Sequence, residues 1–353
     1  MHSLSVTPET SRLNRPNSVS EIPAKMKLDP SFDEISNPVV LINHIEDLKK
    51  ASASESVLKS IYTATELLGR NIDEIPCLLE PILPKVGLCG FAGSSDTGKS
   101  SFLRQFSIAV CIGESEFLGF KLISESRRAI YVSTEDDEYA VSYLLNKANS
   151  ERQLNPGDYA GLSFIFDTHN LLEKLNDQLS SQKVDLIVID AFTDLYGKSM
   201  NDTNQVRTFL NQYSQLAQKH KCLIIFLHHT GKRTEDLVPS KHNLLGSQGF
   251  EAKMRLVIEL RNDPAEPDKR HMCIVKANYL PKQYKTESFV LLFNGNLQFS
   301  MTGEKRLFEE LKSDNKVEIK ERVRSMTREG KTQNEISNEL GISQPTVSRY
   351  LKD

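Results

Sequence analysis

Hydrophobic positions in this chain change their period several times, and each change predicts a different element. Over residues 38–70 the spacing is helical: Val40, Leu41, Ile45 and Leu48 make one apolar face, and Val57, Leu58, Ile61, Leu67 and Leu68 make another. These predict two helices, either packed on their own domain or carried as an arm that docks on a neighbouring subunit. Residues 86–92 form a short apolar run of the kind buried in a sheet, and residues 101–110 carry apolar side chains at i, i+4 and i+7 of a helix. Further apolar runs at 129–133, 162–166, 186–189 and 222–227 read as strands, separated by helical patterns near 138–150, 170–182 and 204–220. After that the helices stop, and 256–260, 272–276, 288–293 and 297–299 follow one another as strands joined by turns. Alternation requires a parallel, helix-covered sheet, and the closing meander requires an antiparallel extension. The fold class is α/β, with a mainly parallel sheet.

Composition narrows the setting. In 353 residues, 39% are hydrophobic and 26% charged, which belongs to a globular chain of one large domain with attachments or of two domains. Residues 1–30 are rich in Ser, Pro, Asn and Thr, contain no secretory apolar region and read as disordered. No apolar run is long enough to span a bilayer, so no membrane partner is expected. Five cysteines, odd in number and without CxxC spacing, read as reduced thiols of a cytoplasmic protein. A net charge of −3 leaves nucleic-acid contact to local patches.

Between the run at 86–92 and the helix that follows it lies Gly93-Ser94-Ser95-Asp96-Thr97-Gly98-Lys99-Ser100, which matches GxxxxGK[ST]. That pattern arises by chance in about one chain of this length in a hundred, and the flanking strand and helix lower those odds. Small residues let the backbone N–H groups curl around a phosphate, with Gly93 and Gly98 taking conformations a side chain would block. Lys99 reaches the β- and γ-phosphates of ATP, Ser100 offers a hydroxyl to Mg²⁺, and the helix from Ser101 points its positive end at the anion. Asp96 is the odd member, because a carboxylate next to phosphate is unfavourable; it is expected to face solvent or a neighbouring subunit.

Three strand ends carry the other chemical candidates. Residues 184–190 end an apolar run in Asp190, a position suited to holding Mg²⁺ at the carboxyl edge of the sheet. Residues 130–137 end in Glu135-Asp136-Asp137. Glu135 can polarise the attacking water, or the three acids can simply cap the next helix. His228 and His229 end the run at 222–227, and either can hydrogen-bond a γ-phosphate or serve as a structural histidine. Zinc is conceivable there, but no Cys/His spacing supports it.

Taken in order, residues 82–87, the phosphate loop, Ser133-Thr134-Glu135-Asp136-Asp137, Ile189-Asp190-Ala191-Phe192-Thr193-Asp194-Leu195, His228-His229-Thr230-Gly231-Lys232 and Gly246-Ser247-Gln248 resemble the RecA-like AAA-domain P-loop ATPases. They are most similar to the ring-forming replicative helicases of broad-host-range plasmids and their mobile-element relatives. The resemblance covers residues 76–300. It implies Glu135 as catalytic base and His228 or His229 as sensor of the γ-phosphate. It also implies a homo-oligomer, with a hexameric ring among its forms, and single-stranded DNA contacted by loops 196–204 and 231–245 through Lys198, Lys232, Arg233 and Lys241. The family commonly has Lys-x-Arg on a late strand, acting on the neighbour's site. Here Lys276 is present but Asn278 stands in place of the arginine. Either Lys282 or another cation substitutes, or trans-activation is weak.

A second nucleic-acid signal closes the chain. Thr332-Gln333-Asn334-Glu335 is a capping box for a helix through Leu340; Gly341-Ile342-Ser343 makes a turn, and residues 344–352 make a second helix with Pro345 in its first turn. Residues 317–329 supply a preceding helix, and Ile336, Leu340, Ile342, Val347 and Leu351 a shared core. This resembles the helix-turn-helix of resolvases and transcription regulators, which implies that Gln344, Thr346, Ser348 and Arg349 face the major groove of duplex DNA. The alternative is a small packing or oligomerisation module. The expected organisation is therefore a disordered segment 1–30, a helical arm 31–75, an ATPase domain 76–300, a linker 301–316 and a helix-turn-helix domain 317–353. A DNA-dependent ATPase follows, as a helicase or DNA-remodelling enzyme. The alternatives are an ATP-gated sequence-specific regulator and a recombination mediator.

Overall fold

The computed structural model describes residues 61–353 other than 232–233, 247, 264–265, 313–314, 341–343 and 353. The chain divides into two compact units, Met1–Gly69 and Arg70–Asp353. In the first, helix α1 (Ala64–Leu68) starts from a capping box in which Thr63 and Glu66 bond each other's backbone N–H. The tail 1–30 and the expected apolar faces up to Leu58 lie outside the described residues.

The second unit opens with a hairpin of β1 (Cys77–Leu79) and β2 (Leu83–Pro84), then β3 (Gly87–Gly93), α2 (Lys99–Ile112) and a second hairpin of β4 (Glu116–Phe117) and β5 (Phe120–Lys121). Alternation follows: β6 (Ala129–Ser133), α3 (Glu138–Arg152), β7 (Leu162–Ile165), α4 (Leu171–Ser181), β8 (Leu186–Asp190), α5 (Phe192–Tyr196), α6 (Thr203–His220), β9 (Leu223–His229) and α7 (Gln248–Lys253). Four strands then follow, with no α-helix between them among the described residues: β10 (Leu256–Asn262), β11 (Lys269–Ala277), β12 (Glu287–Phe293) and β13 (Phe299–Leu307).

Among the described residues these build one nine-stranded sheet in the order β13-β12-β11-β10-β3-β9-β8-β6-β7. The strands from β10 to β7 in that order pair in parallel, and β10 to β13 pair antiparallel. The near-continuous apolar runs of β3 and β8 are explained by burial on both faces. Their side chains alternate between two cores: Cys89, Phe91, Leu186 and Val188 pack with Phe102 and Phe106 of α2, while Leu88, Ala92, Ile187 and Ile189 pack with Leu175 of α4 and Leu210 of α6. Register brings Gly93 beside His229 and Ser133 beside Asp190, so the four central parallel strands end at one edge.

The antiparallel strands are tied together by a buried polar network. His271 of β11 bonds Asp263 at 2.8 Å and the Ser288 hydroxyl of β12 at 3.0 Å, and Arg306 of β13 meets Asp263 at 2.8 Å. The strand expected at 297–299 in fact runs over Phe299–Leu307, so the sheet continues into the stretch expected to be a linker. Its side chains beyond Phe299 are mostly exposed, and pairing with β12 makes it a strand without an apolar pattern. At the end, α8 (Asn315–Arg328), α9 (Gln333–Leu340) and α10 (Gln344–Lys352) pack around Val323, Met326, Ile336, Val347 and Tyr350, with Leu340 and Leu351 half-buried against them. The capping box at Thr332 and Glu335 forms as expected; Ile342 lies outside the described residues.

Candidate functional site

The edge where the parallel strands end is built around the loop at 94–98. At Gly93 a Cβ would sit 2.4 Å from the Leu260 carbonyl of β10, and Gly98 has φ +88 with Phe299 2.9 Å from where a Cβ would be, so only glycine fits either place. Thr97 is buried and closes the loop by donating to the Ser94 carbonyl at 3.1 Å. The backbone N–H groups from Ser95 to Gly98 donate to no described residue, which leaves them available to an anion. Ser95 and Asp96 are exposed, as expected for an acid kept off a phosphate. Lys99 is buried and lies back across the loop on the Ser94 carbonyl at 2.5 Å. Burial lowers its pKa, while Asp190, Glu135, Asp96 and Glu235 oppose that shift. Ser100 and Ser101 open helix α2, both half-buried.

Asp190 ends β8 fully inside the protein. One carboxylate oxygen accepts from the Tyr131 hydroxyl of β6 at 2.5 Å; the other, Oδ1, is buried with no partner. Burial pushes its pKa up, while the hydrogen bond from Tyr131 and the nearby Ser100 hydroxyl and Arg104 push back. A buried, unpartnered carboxylate oxygen beside a serine hydroxyl is a pair of hard oxygen donors, so these residues fit Mg²⁺. Among the described residues no group of three or more His, Cys, Asp or Glu could hold a metal by itself.

The three acids after β6 separate into three roles. Asp137 is the N-cap of α3, accepting from Ala140 N at 2.8 Å, and Asp136 pairs with Arg104 of α2 at 3.2 Å. Glu135 is exposed and lies 3.6 Å from His229 Nε2. Thr134 fastens this turn to the neighbouring strand, donating to the Asp190 carbonyl at 2.7 Å through its amide. The two histidines separate as well. His228 is corrected from sensor to core residue: it points inward against Phe250 and Phe192, bonds the Leu245 carbonyl at 3.0 Å and leaves Nδ1 unpartnered. Burial drops its pKa to about 4. Successive strand residues face opposite ways, so His229 is the one left at the edge.

Residues that sequence reasoning passed over also converge here. The Ser94 hydroxyl donates to Glu235, a carboxylate on the loop after β9. That loop is pinned from β10: Arg261 donates to the Leu237 carbonyl at 2.6 Å, and Glu259, paired with Arg261 at 2.9 Å, accepts from Ser240 N at 3.1 Å. Tyr131 was masked by its place in an apolar run, and Glu235 by a loop with no motif.

The remaining cations are scattered. Lys276, the candidate for acting on a neighbour's site, pairs within its own chain with Glu251, at 2.9 Å to the carboxylate and 2.6 Å to the carbonyl. Lys241 shares that carboxylate at 3.5 Å. Lys198, Asn278 and Lys282 are exposed, and Lys232 and Arg233 lie outside the described residues. On α10, Gln344 and Arg349 are exposed and Ser348 half-buried, with Gln344 donating to Gln333 at 2.8 Å and Arg349 lying over the Tyr350 ring; the Thr346 side chain is outside the description.

A helix-covered parallel sheet with a glycine-bounded phosphate loop at its carboxyl edge defines a P-loop nucleotide-binding domain. The profile of a family described as AAA domain matches residues 52–235, just over half of the chain, and the chain belongs to that family. No curated protein matches it. A solved structure whose title describes an ATPase domain aligns over 77% of this chain and 99% of that one, at 15% identity and a TM-score of 0.49, a likeness too remote to bear on activity or partners. No described helix is long and apolar enough to cross a membrane.

Proposed function

We propose that this chain is a Mg²⁺-dependent, RecA-like ATPase that couples hydrolysis to DNA, as a helicase or DNA-remodelling enzyme of a plasmid, phage or mobile element. The observation that carries the reading is the buried, unpartnered Oδ1 of Asp190 beside Ser100 at the mouth of a loop of free N–H groups. Ser100 and Asp190 would hold Mg²⁺, which supplies charge neutralisation at the β- and γ-phosphates. The N–H groups of residues 95–98 bind the phosphates, and Lys99 leaves the Ser94 carbonyl to reach them. Glu135 takes the proton of the attacking water, and His229, 3.6 Å away, orients that carboxylate and senses the γ-phosphate. The exposed lysine at Lys198 and the loop bearing Lys232, Arg233 and Lys241 contact single-stranded DNA in a homo-oligomer. Helices α8 to α10 form a helix-turn-helix that binds duplex through Gln344, Thr346, Ser348 and Arg349.

The exposed Gln344 and Arg349 of α10 favour a second reading, in which ATP gates a sequence-specific duplex binder. Steady-state ATPase measured with and without single-stranded DNA separates the two. A motor shows turnover stimulated by the single strand. Slow turnover unaffected by the single strand, with a discrete duplex footprint, supports the regulator and sinks the motor.

A further inference from the structure

The antiparallel strands reach the phosphate loop through a residue that neither the motif nor the family match includes. Arg270 lies on β11, 173 residues beyond Thr97, and is buried. Its Nε donates to the Thr97 carbonyl at 3.2 Å, and its Nη1 donates to the carbonyls of Pro267 and Lys269 at 2.5 and 2.8 Å. The guanidinium lies 5.2 Å from the centre of the Phe293 ring, and Phe293 stacks on Phe299 at 4.4 Å. Both rings press on Gly98, and Phe299 exchanges two hydrogen bonds, at 2.9 and 2.7 Å, with the Gln105 side chain of α2. The extension thus holds the loop at Thr97 and Gly98.

We infer that Arg270 is a positioning residue for the phosphate loop: by holding the Thr97 carbonyl it aims the Gly98 N–H at the bound phosphates. This role rests on the nucleotide reading above. The argument is one of peptide geometry. A trans peptide unit is planar, and its C=O and N–H point in opposite directions. Fixing the Thr97 carbonyl toward β11 therefore turns the Gly98 N–H away from β11, toward the loop interior, where it donates to no described residue. Gly98 at φ +88, with two phenyl rings against it, cannot relax into another orientation cheaply. All three described acceptors of Arg270 are main-chain carbonyls, and the nearby Asp268 carboxylate offsets part of its charge, so its part at the loop is to fix the Thr97 carbonyl. A lysine has no rigid fork and cannot span these carbonyls in the same way.

The test titrates Mg·ATP into the full-length protein, wild type beside Arg270→Gln, Arg270→Lys and Lys99→Ala, with steady-state kinetics and a thermal midpoint without nucleotide for each. The expected result for Arg270→Gln is Kd and KM raised about tenfold, the scale of one lost charge-assisted hydrogen bond, with kcat nearly unchanged because phosphate is bound alike in ground and transition states. Arg270→Lys is expected to recover part of that loss, to about threefold weaker than wild type. A folded Arg270→Gln that binds as tightly as wild type, with only its midpoint lowered, overturns the role and makes Arg270 structural. Should Arg270→Gln not fold, Arg270→Lys decides, and binding equal to wild type overturns the role. A wild-type chain that binds no Mg·ATP brings down the nucleotide reading itself, whatever the variants do.

Discussion

The parallel strands β3, β6, β8 and β9 and the antiparallel strands β10 to β13 belong to one sheet, yet they meet the phosphate loop in different ways. The parallel strands deliver chemical groups at their carboxyl ends: Lys99 and Ser100 after β3, Glu135 after β6, Asp190 on β8 and His229 on β9. The antiparallel strands deliver shape. Leu260 crowds Gly93, Arg270 holds Thr97, Phe293 and Phe299 confine Gly98, and Arg261 pins the loop that carries Glu235. One set of residues is suited to reacting with a nucleotide and the other to keeping the loop ready for it. Substitutions in the first set should damage chemistry, and substitutions in the second should weaken binding or stability while chemistry continues.

The largest effect belongs to Lys99→Ala. It should abolish measurable hydrolysis and greatly weaken ATP binding, because Lys99 is the cation on the loop itself and lies buried in it. Undiminished turnover in that variant would break the division between the two sets at its root.

Glu135→Gln comes next. It should bind Mg·ATP normally yet hydrolyse it about a hundredfold more slowly, the scale of a lost general base. Asp137→Ala, two residues along, sharpens the contrast. It should keep its turnover and lose about 1 kcal/mol of stability, since Asp137 caps α3. Equal turnover in Glu135→Gln and wild type would reduce Glu135 to a surface acid.

The last effect concerns stability alone and its dependence on pH. His228 is buried with its pKa dropped from 6.5 to about 4, so between those values the unfolded chain binds the proton that the folded chain refuses. Stability is therefore full above about pH 6.5 and falls as the pH drops toward 4. The loss from this residue is about 2–3 kcal/mol at pH 4.5. His271 in the antiparallel network is also held below its ordinary value, chiefly by burial, and adds to the same trend. Urea unfolding at pH 7 and pH 4.5 measures the total, and a His228→Gln chain with an unchanged pH slope would remove His228 as a cause.

Much of this arrangement was open to reading from the chain, and the reasons for the misses are physical. Strand 129–133 and helix 344–352 are found where periodicity puts them, because burial on defined faces leaves its period in the sequence. Strand β13 escaped because an edge strand with exposed side chains is stabilised by backbone pairing, which writes no apolar pattern. His228 and His229 could not be told apart because pleat phase is set by the sheet as a whole. Arg270, Tyr131 and Glu235 carry no local signal, since their partners are 173, 59 and 141 residues away. Motifs mark the groups that strand ends expose; the contacts that shape the loop arise only when distant segments are brought together.

The central claim is that Asp190 and Ser100 complete a Mg²⁺–nucleotide site at the mouth of the loop. Titration of ATP into wild type and Asp190→Asn, each in Mg²⁺ and again in EDTA, tests it most directly. The account predicts binding by wild type that is strengthened by Mg²⁺ at least about tenfold, and binding by Asp190→Asn that is weak and indifferent to the metal. Binding by Asp190→Asn that keeps the full Mg²⁺ dependence of wild type would contradict it.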